Sequence, residues 1–556
     1  MTRTVARTEE PSAPANLAKI LTAREPFGPR DAESLVDLGL AGTEELFDHR
    51  NLIYAQTSRV SRPAYIVGRK GAGKTAFLRG PSGRDEGPQE VLRTAAVYAE
   101  MVSVLNYYQH KRSPLFVPQV AEIWQAVLDH VAIFHAYQSA TPDDPGADMQ
   151  ILWDYLAATP DWLTDPTTVA ERFLAELRRR TDDPDVHGLR ELIEGLTRGG
   201  VCFARVRGAL TSVLTKRGRE LTIVMDNLED LHARVFELEQ VLAGLFHAVG
   251  VVITKQDHER AFGLQLCLPS ELWEQIHRVS ANPEKDFGGN YLTIYWTARE
   301  LLNLVGTRYR LFMETNHPDE LRDLHPKYSG DDDSGMALLR AALPRTVRNG
   351  LGSEEDPVAY LLRHTQLLPR HLIEILNSVF TAPVPSSRPW AITEDALRVG
   401  TRSGERMIVE GIFAAHRASY PFAPAALKRI ANRLAVCFPA RELRTVFNRE
   451  GVKKVTGGDF DDFLEMLFTL GVLGVKVDET TRYNKAHFQY TFDSVINAEE
   501  DQDELCFHPL FTRYLFERSL GRLRKGGERP TYPYGSDPGD ADYRLRLGYA
   551  DCLRRN

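Results

Sequence analysis

The amino-acid sequence predicts an α/β fold: a parallel sheet with a large helical insertion, then a helical region and a winged helix-turn-helix towards the C-terminal end. Two short apolar runs and the helical pattern between them carry the first half of that prediction. Tyr65-Ile66-Val67 is apolar and partly β-branched, and it leads straight into a glycine-rich stretch. Leu221-Thr222-Ile223-Val224-Met225-Asp226 is a second such run, and it ends in an acid. Residues 118–215 lie between them and read as mostly helical, as an elaborated crossover between parallel strands would.

The first run opens Gly68-Arg69-Lys70-Gly71-Ala72-Gly73-Lys74-Thr75, which has the spacing G-x-x-x-x-G-K-[ST] of a phosphate-binding loop. Backbone N–H groups that curl around a polyphosphate need φ > 0 and a close approach, both of which glycine permits. Lys74 can reach the β- and γ-phosphates, and the Thr75 hydroxyl can ligate Mg²⁺. A helix starting near Gly73 aims its positive end at the anion. That helix is expected to be brief, because Gly80-Pro81-Ser82-Gly83 interrupts it. Asp226 should arrive at the C-terminal edge of the sheet, where ligands bind in open α/β folds, and hold the metal beside Thr75.

Composition narrows the classes further. An apolar content of 43%, a charged content of 26% and a net charge of −8 describe a globular chain and speak against one coated in nucleic acid. The 556 residues leave room for roughly two to four domains. Cys202, Cys267, Cys437, Cys506 and Cys552 are scattered with no C-x-x-C pair, so reduced thiols are expected, with neither a disulfide framework nor a zinc site. Residues 1–16 lack the apolar core of a signal peptide, and the apolar stretches 242–254 and 463–477 are too short or interrupted to span a bilayer. A cytoplasmic protein with no membrane partner is expected.

In chain order, residues 1–30 are rich in Pro, Ala and Thr and read as a flexible arm. Residues 31–315 form the sheet domain, with a helical pattern over 31–53 and a second strand expected over 95–104. Val120, Ile123, Trp124, Val127, Leu128, Val131 and Phe134 recur at helical spacing and mark one buried face. Further helices are expected over 169–180, 189–196 and 235–249, and a strand near 264–273. Residues 316–357 are charged and rich in Gly and Asp, a loop or boundary opening a helical lid region over 316–421. Residues 422–520 fit a winged domain, with helices over 425–436, 441–448 and 460–470 and wing strands over 474–477 and 487–492. Residues 521–556 read as a tail, poorly ordered or docked on a partner.

The loop GRKGAGKT followed by the run IVMDNLED resembles the bacterial P-loop ATPases of the AAA+/STAND kind, close to KAP-type and origin-recognition-like ATPases. The resemblance implies a P-loop NTPase core, a sensor-bearing lid, ATP and Mg²⁺ as cofactors, and Lys74, Asp226, Asn227, Glu229 and Arg370 as the catalytic set. In that pattern Gly68 to Thr75 hold the nucleotide, and Thr75 and Asp226 hold the metal. Asn227 stands where many of these enzymes have an acid that polarises the attacking water, and Glu229 matches the last acid. An amide can hold a water but cannot take its proton. Unless Glu229 or Asp230 substitutes, hydrolysis should be slow, which suits a switch better than a motor.

Residues 264–273 resemble the family's next strand, with Ser270 and Glu271 at the sensor-1 place and Pro269 where the pattern has Arg. Residues 295–308 are similar to its W…EL…R helix, which makes Arg299, Arg308 and Arg310 candidates for a trans-acting finger. Pro369-Arg370 resembles the start of a sensor-2 helix, from which Arg370 could approach the γ-phosphate; the alternative is an ordinary N1 proline with an exposed neighbour. His508-Pro509-Leu510-Phe511 resembles the ending of winged domains appended to such ATPases. The resemblance further implies a homo-oligomer, a role in bacterial, anti-phage or stress defence, and a separate protein effector, since no nuclease or protease signature adjoins the ATPase motifs.

Residues 402–454 carry eleven Lys and Arg against four Glu, an excess that could contact phosphates without sequence preference. The third helix of the winged pattern, however, starts with Asp459, Asp461 and Asp462 and continues with Glu465, which would face a polyanion. Sequence-specific readout is therefore disfavoured. Two other functions compete: a DNA-binding initiator- or transposition-regulator-like ATPase, and a GTPase. The last rests on Thr254-Lys255-Gln256-Asp257, a T-K-x-D run that resembles a guanine-recognition motif, although a D-x-x-G switch is lacking after Asp226.

Overall fold

Five parallel strands form the sheet of the α/β unit: β1 (Tyr65–Gly68), β2 (Gln89–Arg93), β3 (Leu221–Asp226), β4 (Phe262–Pro269) and β5 (Tyr291–Thr293). Their spatial order is β2-β3-β4-β1-β5. The computed structural model describes residues 13–31, 46, 63–79, 88–140, 146–183, 188–217, 221–226, 239–254, 262–270, 280, 291–324, 334–417, 419–488, 504–525 and 527–536. The chain divides into two compact units, one of Gln56–Lys70 and Phe77–Ile294, the other of Met1–Ala55, Gly71–Ala76 and Tyr295–Asn556.

In the first unit every residue of β1 and β3 is buried, which accounts for their unbroken apolar runs in place of an alternating pattern. β3 spans the same six residues that the sequence marks as a strand. The strand expected over 95–104 is corrected. Those residues belong to helix α2 (Thr94–Lys111), which follows α1 (Lys74–Arg79), and the second strand is β2, just before them. Val97, Tyr98, Met101, Val104, Leu105 and Tyr108 are all buried, and their spacing of three and four is that of a helix face.

The insertion is helical, as expected, through α3 (Val117–Gln138), α4 (Ala147–Ala157), α5 (Pro166–Arg180) and α6 (Phe203–Arg217). All seven apolar positions named on α3 are buried. Trp124 also donates its Nε1–H to Val241 O at 2.9 Å, which ties α3 to α7 (Glu239–Thr254). His130 sits between the rings of Phe173 and Phe203, with centroids 4.1 and 4.5 Å away. Its Nδ1–H donates to Ala126 O, so Nε2 accepts from the Tyr155 hydroxyl. Burial drives its pKa well down and keeps the ring neutral, a core histidine without a ligand role.

In the second unit, α8 (Ala298–Asn316) begins at a capping box in which Thr297 and Glu300 satisfy each other's backbone N–H. The loop expected over 316–357 is corrected in part: a helix (Pro318–Leu324), α9 (Ser334–Ala342) and a short ladder of Val347–Arg348 on Glu354–Glu355 occupy it, and 325–333 lie outside the described residues. α10 (Pro357–Arg363), α11 (Pro369–Phe380) and α12 (Glu394–Ala415) follow. α11 and α12 pack so closely that a Cβ on Gly400 would lie 2.2 Å from Val379 Cα.

The expectation of a loose arm over 1–30 is corrected for its described part. Residues 13–20 are helical, and Leu21 and Phe27 are fully buried. Phe27 stacks on Tyr309 and meets Phe380 edge-on, and its N–H donates to Asn377 Oδ1 at 2.9 Å. Apart from Leu46, which is buried, the helical pattern predicted over 31–53 lies outside the described residues beyond Asp31.

Towards the C-terminal end, α13 (Ala423–Ile430), β6 (Cys437–Pro439), α14 (Ala440–Arg449), α15 (Phe460–Thr469), β7 (Leu473–Glu479), β8 (Asn484–Phe488), β9 (Glu504–Phe507) and β10 (Thr531–Pro533) make a helical layer and a second sheet of order β6-β9-β7-β8-β10. The second wing strand thus starts three residues before its expected place. The tail expectation is corrected for its described part, which ends at Ser536: β10 pairs in parallel with β8, and Tyr532 is buried and donates its hydroxyl to Glu355. So is the cysteine expectation. Cys437 and Cys506 face each other in the β6–β9 register and are disulfide-bonded, since antiparallel pairing brings together residues that no motif links in sequence. Cys202 and Cys267 are free thiols, and Cys552 lies outside the described residues. No helix among the described residues is long and apolar enough to cross a membrane.

Candidate phosphate-binding site

Because the first sheet is parallel, β1 and β3 end at the same edge. Met225 pairs with Leu266 and Leu266 with Tyr65, so Asp226 lies level with Ile66 and two strands away. At the usual strand spacing that is about 10 Å. Asp226 is almost fully buried, and its register partner on β2 is Arg93. The chain thus delivers Gly68 and a carboxylate to one edge of one sheet, where open α/β folds bind ligands.

Gly71 and Gly73 stand at φ +89° and +92°, conformations that cost glycine little and other residues a great deal. The loop is pinned from the unit that holds residues 71–76. Trp296 donates its Nε1–H to Ala72 O at 2.7 Å, and its ring lies 3.9 Å from where a Gly73 Cβ would be. Arg370, second residue of α11, lays its aliphatic stem across Gly71: a Cβ there would sit 3.0 Å from Arg370 Cβ. Arg370 Nε is buried and finds no hydrogen-bond acceptor among the described residues. A buried guanidinium donor without an acceptor is costly, and an anionic ligand in the loop would supply one. Lys74, first residue of α1, is 5% exposed, and Thr75 follows it half-buried. The residues present therefore fit a polyphosphate.

The other named residues separate into three groups. Asn227, Glu229, Asp230 and Glu271 lie outside the described residues, while Ser270 follows the end of β4, half-buried. Arg308 is corrected as a trans-acting finger. It is buried and donates to Phe27 O, Pro29 O and Leu46 O at 2.9–3.3 Å, and burial lowers its pKa to about 10. Its charge anchors the N-terminal segment. Arg310 pairs with Glu314 one turn along α8, and Arg299 is exposed. Trp296 is the tryptophan of the W…EL…R resemblance, but nothing in that spacing shows that it positions the loop. The capping box directly after it is the signal that could have placed it at a helix entry.

No protein-family model and no curated protein sequence matches the chain. Among solved structures it is similar to a Walker-type ATPase of Pyrococcus abyssi, 10% identical at a TM-score of 0.36, over 86% of this chain and 96% of that one. It is also similar to the Aeropyrum pernix ORC2 protein in its ADPNP–ADP complexes, 12% identical at a TM-score of 0.27, over 87% and 97%. Both scores are too low for either likeness to bear on what this chain binds.

Proposed function

We propose that the chain is a Mg²⁺-dependent P-loop ATPase that works as a nucleotide-controlled switch. The observation that carries the reading is the buried, acceptor-less Nε of Arg370 lying over Gly71 of a loop with the phosphate-binding spacing. Backbone N–H groups of residues 69–75 and the Lys74 ammonium would hold the phosphates, and Thr75 and Asp226 would hold Mg²⁺. When bound, Mg²⁺ would neutralise charge on the β- and γ-phosphates. Arg370 would donate to the distal phosphate and lose that bond when the phosphate leaves. Asn227, unable to take a proton, makes the expected hydrolysis slow.

ATP is favoured over GTP by one feature. α7 runs through Thr254, so the T-K-x-D run follows a helix and not the strand end that would place its Asp beside a base. The lid, the winged-helix assignment of the C-terminal region, the homo-oligomer and a protein effector in defence belong to this same proposal and rest on the sequence resemblance. Acids exposed at the start of α15 favour a protein partner there over specific DNA readout. Calorimetric titration with Mg·ATP tests the core of it. Lys74→Ala should abolish binding and turnover, and undiminished turnover in the purified variant would overturn the reading.

A further inference from the structure

A second charged cavity, of about 90 Å³, lies within the unit that contains Tyr295–Asn556. His364 borders it from just beyond α10, Arg398, Arg402 and Glu405 from α12, and Arg513 from the helix Thr512–Phe516. Arg363 also reaches it but is already neutralised, bonded through Nε and Nη2 to both Glu355 oxygens at 2.7 and 2.9 Å. Three arginines are left. Arg513 Nε lies 3.9 Å from Glu405 Oε2, while Arg398 and Arg402 have no ion pair or hydrogen bond among the described residues.

The acid in the cavity does little to offset them. Burial pushes the Glu405 carboxyl up to about 8 against the pull of Arg513, Arg363 and Arg402, and burial also pushes His364 down, so both are neutral near pH 7. Arg402 itself is lowered, by burial and then by Arg513 and Arg398. Glu405 Oε1 lies against His364 Nδ1, but neither ring nitrogen of His364 makes a hydrogen bond among the described residues. Nε2 is buried and has no acceptor among the described residues. Arg402 and Arg513 are exposed, so solvent screens part of the repulsion among the three, and an anion seated among them would offset the rest.

We propose that Arg398, Arg402, Arg513 and His364 form a binding site for the phosphate group of a small molecule. A carboxylate would leave two of the three arginines uncompensated, whereas a dianionic phosphate offers several acceptor oxygens to forked donors. A cavity this small admits one such group and not a run of backbone phosphates. The inference is independent of the reading of residues 68–75.

The test uses the full chain carrying Lys74→Ala, so that the loop contributes no phosphate binding. Inorganic phosphate and glycerol phosphate are titrated calorimetrically at constant ionic strength set with chloride. Both should bind, and the added pair Arg398→Gln and Arg402→Gln should weaken binding at least tenfold. Arg402→Lys, which keeps the charge, should stay within about threefold of the parent, as should Arg406→Gln, which lies one turn further along the same helix, pairs with Glu410 at 3.7 Å and does not border the cavity. Without phosphate the double variant should melt no lower than its parent, because a repulsion has been removed. Absence of binding in the parent, equal affinity in the double variant, or displacement of bound phosphate by duplex DNA would each overturn the proposal.

Discussion

At Arg370 a charged side chain is held where the described residues supply its Nε with no acceptor, and at Gly71 the backbone takes a conformation that other residues rarely adopt. The unmet donor costs stability, and it lies over a glycine that no other residue could replace without strain, which is the pattern of a site organised for a ligand. Arg370→Ala should therefore lower turnover of Mg·ATP at least tenfold and leave ATP affinity within a few fold, because the bond matters most at the distal phosphate. Steady-state rates with separate binding isotherms for ATP and ADP decide it; equal loss of affinity for both nucleotides would reduce Arg370 to a packing residue. Glu405 supports a prediction in pH. Its folded pKa of about 8 exceeds the ordinary carboxylate value, so across the window between them the folded chain keeps a proton that the unfolded chain has lost. Stability from this group is full below the unfolded value and falls as pH rises towards the folded one. His364, lowered by burial, acts in the opposite sense below its ordinary value of about 6.5, so the clean interval is above it. Urea melts from pH 6.5 to 8.5 should show the parent losing stability relative to Glu405→Gln. A constant difference across that interval would mean that Glu405 is ionised throughout.

Element by element, legibility followed how local the deciding signal was. β3 and the buried face of α3 were readable because a largely apolar run of five residues ending in an acid, or seven apolar positions at helical spacing, is complete within one element. Residues 95–104 misled because β-prone Val and Tyr in that stretch also fall at helical spacing, and a long face outweighs propensity. β10 is three residues ending in proline, and only its pairing with β8 makes it a strand. The Cys437–Cys506 bond likewise exists only in the β6–β9 register. The crossing of α11 and α12 was half legible: Gly400 and Gly404, one turn apart, mark a small-residue face, but nothing local says what lies against it. A Cβ on Gly400 would meet backbone, which cannot rotate aside. Gly400→Ala should therefore destabilise by about 3 kcal/mol, the upper end for overpacked sites, with the denaturant slope unchanged. Gly411, whose Cβ would meet nothing within 4 Å on the same helix, is the control, and Gly411→Ala should be neutral or slightly stabilising.

Across the whole molecule the two compact units interleave in sequence: residues 71–76 group with 295–556, whereas β1 just before them groups with the sheet. Sequence reading runs along the chain and sees 64–77 as one motif, while compactness is decided by packing partners such as Trp296 and Arg370 more than two hundred residues further on. A ligand that binds residues 68–75 only in the native state should raise the chain's stability. Binding to the native state alone adds about 2.7 kcal/mol when free ligand is at a hundred times Kd. Mg·ATP at that excess should accordingly raise the denaturation midpoint of the parent and leave that of Lys74→Ala unmoved, with Mg·GTP at the same concentration producing the smaller shift. Light scattering on the same samples adds the assembly state, and the proposed switch requires the mass of the parent, but not of Lys74→Ala, to rise with ATP. A midpoint shift without a change in mass would keep the nucleotide site and discard the oligomeric switch. A shift of equal size in Lys74→Ala would discard both, since the stabilising ligand would then be bound somewhere other than the loop.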